Sequence, residues 1–303
     1  MEKTFTIDML RDTVACHKAM SALPSPSETP YTRYLRLLGV SYIGITDSSA
    51  KALHSSSYGT KCYFIYLLPA NGAGSYILRG VTRPINVCPN SEHCREACLS
   101  GSGHARIESM SGKENIYRAR LLKTKLLFER PDIFYYLIER EILVERERAR
   151  LKNFEFCARL NATSDVDHSR YAFDDGRNIF QRHPDIQFYD YTKIPGRLGL
   201  ASKYKNVFLT LSFNGYNEAL CSEALQQGFG VAVVFKGSLP DKWMGYPVIN
   251  GDLFDMRFID KKFFGVDQSS GYIVGLKYKP VISDYTNGKY VGPKENKFIV
   301  EVA

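Results

Sequence analysis

The chain has 303 residues, of which 44% are hydrophobic and 24% are charged, and its formal net charge is +8. No run of about eighteen apolar residues predicts a transmembrane helix, and no apolar signal core follows Met1–Thr4, so neither a membrane-spanning nor a secreted protein is expected. The positive charge favours a polyanionic partner, either nucleic acid or a phosphorylated small molecule. We therefore predict a cytoplasmic protein without membrane attachment.

The first part of the chain is predicted to be an N-terminal extension over residues 1–60, followed by one domain over residues 61–303. Met9–Met20 has the spacing of a helix, and the Ser- and Pro-rich residues 21–27 end it. Tyr31–Val40 predicts a second helix. We expect this extension to be separate from the domain that follows.

Strand and helix signals alternate through the rest of the chain. The strands are predicted at Lys61–Leu68, Phe154–Leu160, Ile186–Tyr191, Asn206–Ser212, Gly230–Phe235 and Gly271–Leu276. The helices are predicted at Glu114–Glu129, Asp132–Leu151, Asp174–Arg182 and Asn217–Gln227. Short apolar strands separated by helices predict an α/β fold with a parallel sheet. We expect a parallel-stranded barrel or an incomplete (β/α) barrel, and the alternative is an open doubly wound sheet.

Three of the seven cysteines, Cys88, Cys94 and Cys98, lie within eleven residues. Thiolates that converge in this way suit a soft metal or an iron–sulfur cluster, although free cysteines also occur as buried thiols. The spacing matches neither a standard zinc finger nor the cysteine motif of radical enzymes that use S-adenosylmethionine. We predict an iron–sulfur cluster with S-adenosylmethionine as a candidate cosubstrate, and the alternative is zinc with His93 or His104 as fourth ligand.

Polar side chains follow the predicted strands, and in parallel sheets function collects at the carboxyl ends of strands. The candidate catalytic residues are Asp165 and Asp190 as proton carriers and Lys193 as an anion holder. The candidate substrate-binding residues are Arg159, Asn161, Ser164, Ser212, Asn214, Lys236 and Lys277. In the structural interpretation, Asp165 is instead a helix N-cap and Asp190 is a salt-bridge partner.

Alternation along Phe154–Leu160 predicts which of its side chains face the site. Cys157, Arg159 and Asn161 share one face of the strand, and Phe156, Ala158 and Leu160 share the other. We expect the second set to pack on helices, and Arg159 and Asn161 to face the interior of the barrel with Cys157 deeper.

Three motifs follow one another in the chain. They are CPx(4)Cx(3)CL at Cys88–Leu99, RLNATSD at Arg159–Asp165 and FYDYTK at Phe188–Lys193. With them the chain resembles an uncharacterised family of gene products carried by tailed bacteriophages and prophages. The resemblance implies a phage origin and the host cytoplasm as location, and it supplies no activity.

Two functions from different classes remain open. The first is a metal-dependent or iron–sulfur enzyme that acts on nucleotides or nucleic acid, for modification or counter-defence. The second is a non-enzymatic, zinc-stabilised protein that binds nucleic acid or a host protein. A virion structural role is not favoured, because the sequence shows no repeats and no coiled-coil pattern.

Overall fold

The computed structural model describes residues 4–47, 50–91, 94–95, 97–98, 107, 111, 114–281, 285–286, 289–290 and 296–301. The α-helices in these residues are α1 (Ile7–Arg11), α2 (Thr13–Ser21), α3 (Tyr31–Leu38), α4 (Ala50–Ser57), α5 (Asn115–Glu129), α6 (Pro131–Leu151), α7 (Ile179–Arg182), α8 (Gly199–Lys203), α9 (Glu218–Gln226) and α10 (Asp260–Phe264). Short 3-10 helices lie at His168–Arg170, Pro195–Leu198 and Arg257–Ile259. None of the helices described has the length and the apolar character that crossing a membrane requires.

The strands are β1 (Gly44–Thr46), β2 (Thr60–Ile65), β3 (Ser75–Leu78), β4 (Val81–Pro84), β5 (Glu155–Arg159), β6 (Gln187–Thr192), β7 (Val207–Ser212), β8 (Gly230–Lys236), β9 (Lys242–Trp243), β10 (Tyr246–Asn250), β11 (Tyr272–Lys277), β12 (Tyr285–Thr286), β13 (Lys289–Tyr290) and β14 (Ile299–Glu301). Ten of them form one sheet, in the order β1-β2-β5-β6-β7-β8-β11-β10-β9, with β14 paired to β8. The strands from β2 to β11 along this order pair in parallel. This confirms the predicted α/β class.

The predicted closed barrel is wrong for the part of the chain that the structure describes. The sheet is open, and its edges are β1 and β9, each of which pairs antiparallel with a single neighbour. The face that would line a barrel is covered instead by the chain between β10 and β11. There, Phe254 and Met256 are buried against Phe64 and Tyr189. The openness of the sheet agrees with the alternative prediction, an open doubly wound sheet.

Two helices, α4 and α10, lie on this same face, where Ala52 and Phe264 pack in the cluster of Phe254 and Met256. The other face of the sheet is covered by helices that include α5, α6 and α9. Leu121 of α5, Ile138 of α6 and Leu225 of α9 share one apolar cluster with Ala158 and Leu160 of the β5 region. Cys157 lies in the cluster on the opposite face. The alternation read from the sequence therefore predicts correctly which side chains of β5 pack on the helices.

Two predicted helices differ from the observed ones because polar side chains cap them. The segment predicted as one helix over Met9–Met20 is broken at Asp12, whose carboxylate accepts the Ala15 N–H at 2.9 Å and starts α2. The helix predicted over Asp174–Arg182 begins at Ile179, since Asn178 and Gln181 form a capping box there. A capping residue thus divides the first predicted helix into α1 and α2, and in the second case it sets the helix start later than the periodicity suggests.

Residues of the predicted N-terminal extension pack into the main core. Leu10, Met20, Leu38 and Ile43 belong to the same apolar cluster as the helix side of the sheet. In addition, β1 pairs with β2. The division of the chain at residue 60 stays a prediction, but the described residues before it share a core with those after it.

Glu141 of α6 joins these N-terminal residues to the sheet. Its buried carboxylate accepts hydrogen bonds from the Tyr31 hydroxyl at 2.8 Å and the Tyr63 hydroxyl at 2.6 Å. It also accepts the backbone N–H groups of Ile43 and Gly44, each at 2.7 Å. Four donors on one buried carboxylate fix the start of β1 against β2 and α6.

Candidate functional site

A cavity of about 360 Å³ opens at the carboxyl ends of the parallel strands. Its volume lies near the lower end of the range for small-molecule sites. Ten of the residues predicted for the site line it, namely Cys88, Cys94, Cys98, Arg159, Asn161, Ser164, Asp165, Lys193, Ser212 and Lys277. The structure thus brings the cysteines and most of the polar strand ends to one place.

The loop that carries the cysteines is held on the ends of β5 and β6. The Cys88 thiol lies 3.5 Å from the Thr163 carbonyl oxygen, and the Asp165 N–H donates to the Val87 carbonyl at 2.7 Å. The Asn90 side chain donates to the Lys193 carbonyl at 3.2 Å. These bonds connect the cysteine loop directly to the two strand ends.

The thiols of Cys88 and Cys94 are neutral at physiological pH. The pKa of Cys88 is raised to about 12, mainly by burial and to a smaller extent by the neighbouring thiols of Cys98 and Cys94, against a hydrogen bond with the Ala70 backbone and the Lys193 ammonium. Burial also raises the pKa of Cys94, again against the Lys193 ammonium. A cation that enters here must displace protons from these thiols.

The predicted metal stays a prediction. Within the residues that the structure describes, no group of three or more His, Cys, Asp or Glu side chains is arranged to hold a metal ion. His93 and His104, the candidates for a fourth ligand, lie outside the described residues.

Asp190 lies beneath the cavity and does not line it. Its carboxylate accepts both the backbone N–H and the side-chain amide of Asn161, each at 3.1 Å, and lies 3.6 Å from the Arg159 Nε. Burial raises the pKa of Asp190 to about 7, although Arg159, Arg197 and the Asn161 donors all favour the charged form. A carboxyl group with a pKa near neutrality is suited to proton transfer.

Arg159 lies between this carboxyl group and the cavity. Its guanidinium donates to Asp255 at 3.0 Å and lies 4.5 Å from the centre of the Tyr191 ring. Asp255 also accepts the Tyr189 hydroxyl at 3.0 Å. The charge of Arg159 is therefore shared between two buried carboxylates, and its position is fixed.

The side chain of Asn161 forms all of its hydrogen bonds to other groups of the protein. Besides Asp190, its amide donates to the Val166 carbonyl at 3.0 Å. Its carbonyl oxygen accepts the Ser164 hydroxyl and the Val166 N–H, each at 2.8 Å, and His168 lies 3.3 Å away. Burial lowers the pKa of His168 to about 3, so this imidazole is neutral. Asn161 and Ser164 thus shape the strand end, and their predicted substrate contacts stay untested.

Asp165 forms a buried ion pair with Arg197 and is not a helix N-cap. It also accepts the Lys193 N–H at 2.8 Å and the Thr192 hydroxyl at 3.2 Å. These bonds hold the turn after β6, which presents Lys193 to the cavity. Its predicted role as a proton carrier stays a prediction.

Lys193 and Lys277 are the cavity lysines without an ion-pair partner among the described residues, whereas Lys279 lies 3.5 Å from Asp252. The Lys193 ammonium donates to the Ser212 hydroxyl at 3.3 Å, and it lies 5.6 Å from the Phe298 ring. Lys277 is exposed at the end of β11. Both remain suitable for holding an anion.

Two predicted substrate-binding residues do not line the cavity. The Lys236 ammonium pairs with Glu301 at 2.5 Å on the exposed surface. The Asn214 side chain accepts the Tyr216 N–H at 3.0 Å and so closes a local turn. Lys236 is the last residue of β8, and Asn214 lies two residues after β7. Both strands contribute residues to the cavity wall, but these two side chains form their contacts outside it.

The sequence did not point to several residues that line the cavity. Tyr66 lies 5.6 Å from the Arg120 guanidinium, and both contribute to the wall. Phe298 immediately precedes β14. This strand pairs with β8 at Val234–Lys236, whereas β7 pairs with β8 only at Val231 and Ala232. Aromatic residues are common in cores, so only the basic character of α5, which carries Arg120, could have pointed to this wall.

Asp190 gives a prediction for the pH dependence of stability. Because its pKa is about 7 in the fold and near the usual 3.8 when unfolded, the unfolded chain loses this proton first. The contribution of Asp190 to stability should therefore fall by about 2–4 kcal/mol as the pH rises from about 4 to about 7. Asp190→Asn removes this contribution, and denaturant unfolding at a series of pH values measures it. The exposed Asp185→Asn is the control, and identical pH profiles for the two variants would contradict the prediction.

A family model described as Gene product 88 matches residues 44–276. The matched range runs from β1 almost to the end of β11 and includes the cysteine loop and the strand ends that line the cavity. The comparison with curated proteins and the comparison with solved structures found no match.

Proposed function

The chain belongs to the Gene product 88 family, and we propose that it is an enzyme whose active site is the cavity at the carboxyl edge of the sheet. The proposed substrate is a nucleotide or a nucleic acid. One observation carries the proposal: three thiols and two lysines without an ion-pair partner among the described residues, Lys193 and Lys277, line the same cavity. Such a combination suits a soft metal beside a bound phosphate.

The proposed cofactor is an iron–sulfur cluster held by Cys88, Cys94 and Cys98. Bound there, a cluster would supply electron transfer or an open iron for a cosubstrate such as S-adenosylmethionine. The three cysteine side chains are not arranged as metal ligands in this structure. Binding of a cluster would therefore have to bring their sulfur atoms closer together. Since the thiols of Cys88 and Cys94 are protonated, binding also releases protons and becomes tighter as the pH rises.

Cationic and aromatic side chains support a nucleotide as substrate. Lys193 and Lys277 would hold the phosphate, and the rings of Tyr66, Tyr191 and Phe298 offer apolar surface for a base. Asp190 is the proposed proton carrier because its pKa lies near 7, and since it lies beneath the cavity it would act through the groups that separate it from the substrate. For a protein of phage origin in the host cytoplasm, such chemistry would serve nucleotide modification or counter-defence.

Anaerobic purification tests the cofactor. We expect brown protein that absorbs near ~400 nm, because iron–sulfur clusters with thiolate ligands absorb there. Cys94→Ser should remove the colour and most of the iron, as measured by metal analysis. Cys221→Ser is the matched control, since Cys221 is buried in α9 away from the cavity. Colourless protein without iron would overturn the proposed cofactor.

A zinc-stabilised binding protein is the second candidate. The observation in its favour is that Asn161 and Asp165 bond to other residues of the protein. Side chains bonded in this way stabilise the fold and are not required to act on a substrate. The same metal analysis separates the candidates, because about one zinc ion per chain in colourless protein would favour this one.

A further inference from the structure

Exposed cationic and aromatic side chains lie at the cavity or beside residues that adjoin it, and we propose that they bind a single strand of nucleic acid. Two of them line the cavity, Arg95 and Lys297 are each adjacent in the chain to a lining residue, and Tyr216 contacts Lys297. We call this surface the rim, and it consists of Arg95, Tyr216, Lys277, Lys279 and Lys297. The inference rests on the proposed function, because the strand would deliver one of its nucleotides to the cavity. It narrows the proposed substrate, a nucleotide or a nucleic acid, to a single-stranded nucleic acid.

Tyr216 and Lys297 form the aromatic part of the rim. Tyr216 is 57% exposed, and the Lys297 ammonium lies 4.8 Å from the centre of its ring. Gly215, with φ +97°, lets the two segments meet, because a Cβ there would lie 2.9 Å from the Lys297 backbone. Phe298, the next residue, lines the cavity. An exposed ring beside a cation is a platform on which a base can stack.

Among the described residues, one of the four cations of the rim, Lys279, has a carboxylate within ion-pair distance. Lys277 and Lys279 line the cavity at the end of β11, and Lys279 lies 3.5 Å from Asp252. Arg95 is exposed in the cysteine loop. The described residues provide no carboxylate within ion-pair distance of Arg95, Lys277 or Lys297, so these three cations can each neutralise a phosphate.

The shape of the site favours a single strand over a duplex. The cavity volume, about 360 Å³, suits one nucleotide and not a paired helix. A base held in a duplex cannot reach such a cavity without leaving the stack. The rim would therefore hold the backbone on both sides of the nucleotide in the cavity.

Fluorescence anisotropy with a labelled oligothymidylate of about ten nucleotides tests the inference. Lys277→Glu and Lys297→Glu should each weaken binding about tenfold, and Tyr216→Ala about fivefold or more. Lys152→Glu is the matched control, because Lys152 is exposed at the end of α6, which leads into the amino end of β5. Its affinity should stay close to that of the unmodified protein.

Thymidine monophosphate separates this inference from the proposed active site. Calorimetry should show that Lys193→Ala weakens its binding, whereas Lys297→Glu and Tyr216→Ala do not. If the mononucleotide does not bind but oligonucleotide binding depends on the rim, the proposed active site fails and the rim remains. If rim variants bind the oligonucleotide as Lys152→Glu does, the rim is overturned whatever the mononucleotide does.

Two further ligands test the chemistry of the rim. Polyglutamate offers charge without bases, so equally tight binding of polyglutamate would overturn recognition by stacking. A duplex of the same length should bind more weakly than the single strand, and tighter binding would overturn the preference for one strand.

Discussion

Replacing Asp165 with alanine is expected to lower the free energy of unfolding by about 3–5 kcal/mol, because it leaves the Arg197 guanidinium buried without a counter-ion. The side chains of Arg197 and Asp165 are only 7% and 8% exposed. The substitution also removes the acceptor for the Lys193 N–H and the Thr192 hydroxyl. Unfolding in denaturant, compared with the unmodified protein, measures the loss.

Asp185→Ala is the control for this prediction. Asp185 also pairs with an arginine, Arg146, but its side chain is 61% exposed, so we expect a loss below about 1 kcal/mol. Adding Arg197→Met to Asp165→Ala should recover part of the stability, because the unpaired charge is then gone. Equal losses for Asp165→Ala and Asp185→Ala would show that burial of the pair contributes nothing. If Asp165→Ala does not fold, Asp165→Asn carries the same comparison.

Glu141→Ala should be comparably damaging, with a loss of about 4 kcal/mol or more. It leaves two hydroxyls and two backbone N–H groups without their acceptor, and each buried unsatisfied donor costs about 1–3 kcal/mol. Glu141 itself is only 6% exposed. Hydrogen exchange should show lost protection at Ile43 and Gly44, and denaturant unfolding should show the loss in free energy.

Glu145→Ala, one helical turn further along α6, is the matched control. Its partner, Arg148, is 68% exposed, so the expected loss is below about 1 kcal/mol. A separate, earlier unfolding transition for residues 31–46 in the unmodified protein would contradict our view that these residues share the main core. In that case the predicted boundary near residue 60 would describe the chain better.

The positions of the central strands along the chain could be predicted because local composition determines them. Phe154–Leu160 was predicted as a strand and is β5 at Glu155–Arg159, while Gly271–Leu276 is β11 at Tyr272–Lys277. Runs of β-branched and aromatic residues between helices leave few alternatives. The open shape of the sheet could not be predicted in this way. It depends on the packing of Phe254 and Met256 against strands that lie far away in the sequence.

The candidate site shows a similar division. A polar residue that follows a buried strand can be placed at the carboxyl edge from the sequence, as with Asn161 and Lys193. The sequence does not show whether the hydrogen-bonding groups of such a side chain remain available to a substrate. Asn161 bonds to Asp190, on another strand, and Asp165 pairs with Arg197, thirty-two residues away. The partners are set by tertiary packing, so positioning residues and binding residues look alike in the sequence.

The placement of β14 has a consequence for the order in which the protein is assembled. The neighbours β5, β6, β7 and β8 follow one another in the chain, so each can join the growing sheet as it leaves the ribosome. Phe298, in contrast, packs against Ala97, from which it is separated by about two thirds of the chain. Closing so long a loop is entropically expensive. The sheet should therefore exist during synthesis, while the wall beside the cysteines is added only once translation reaches the final strand.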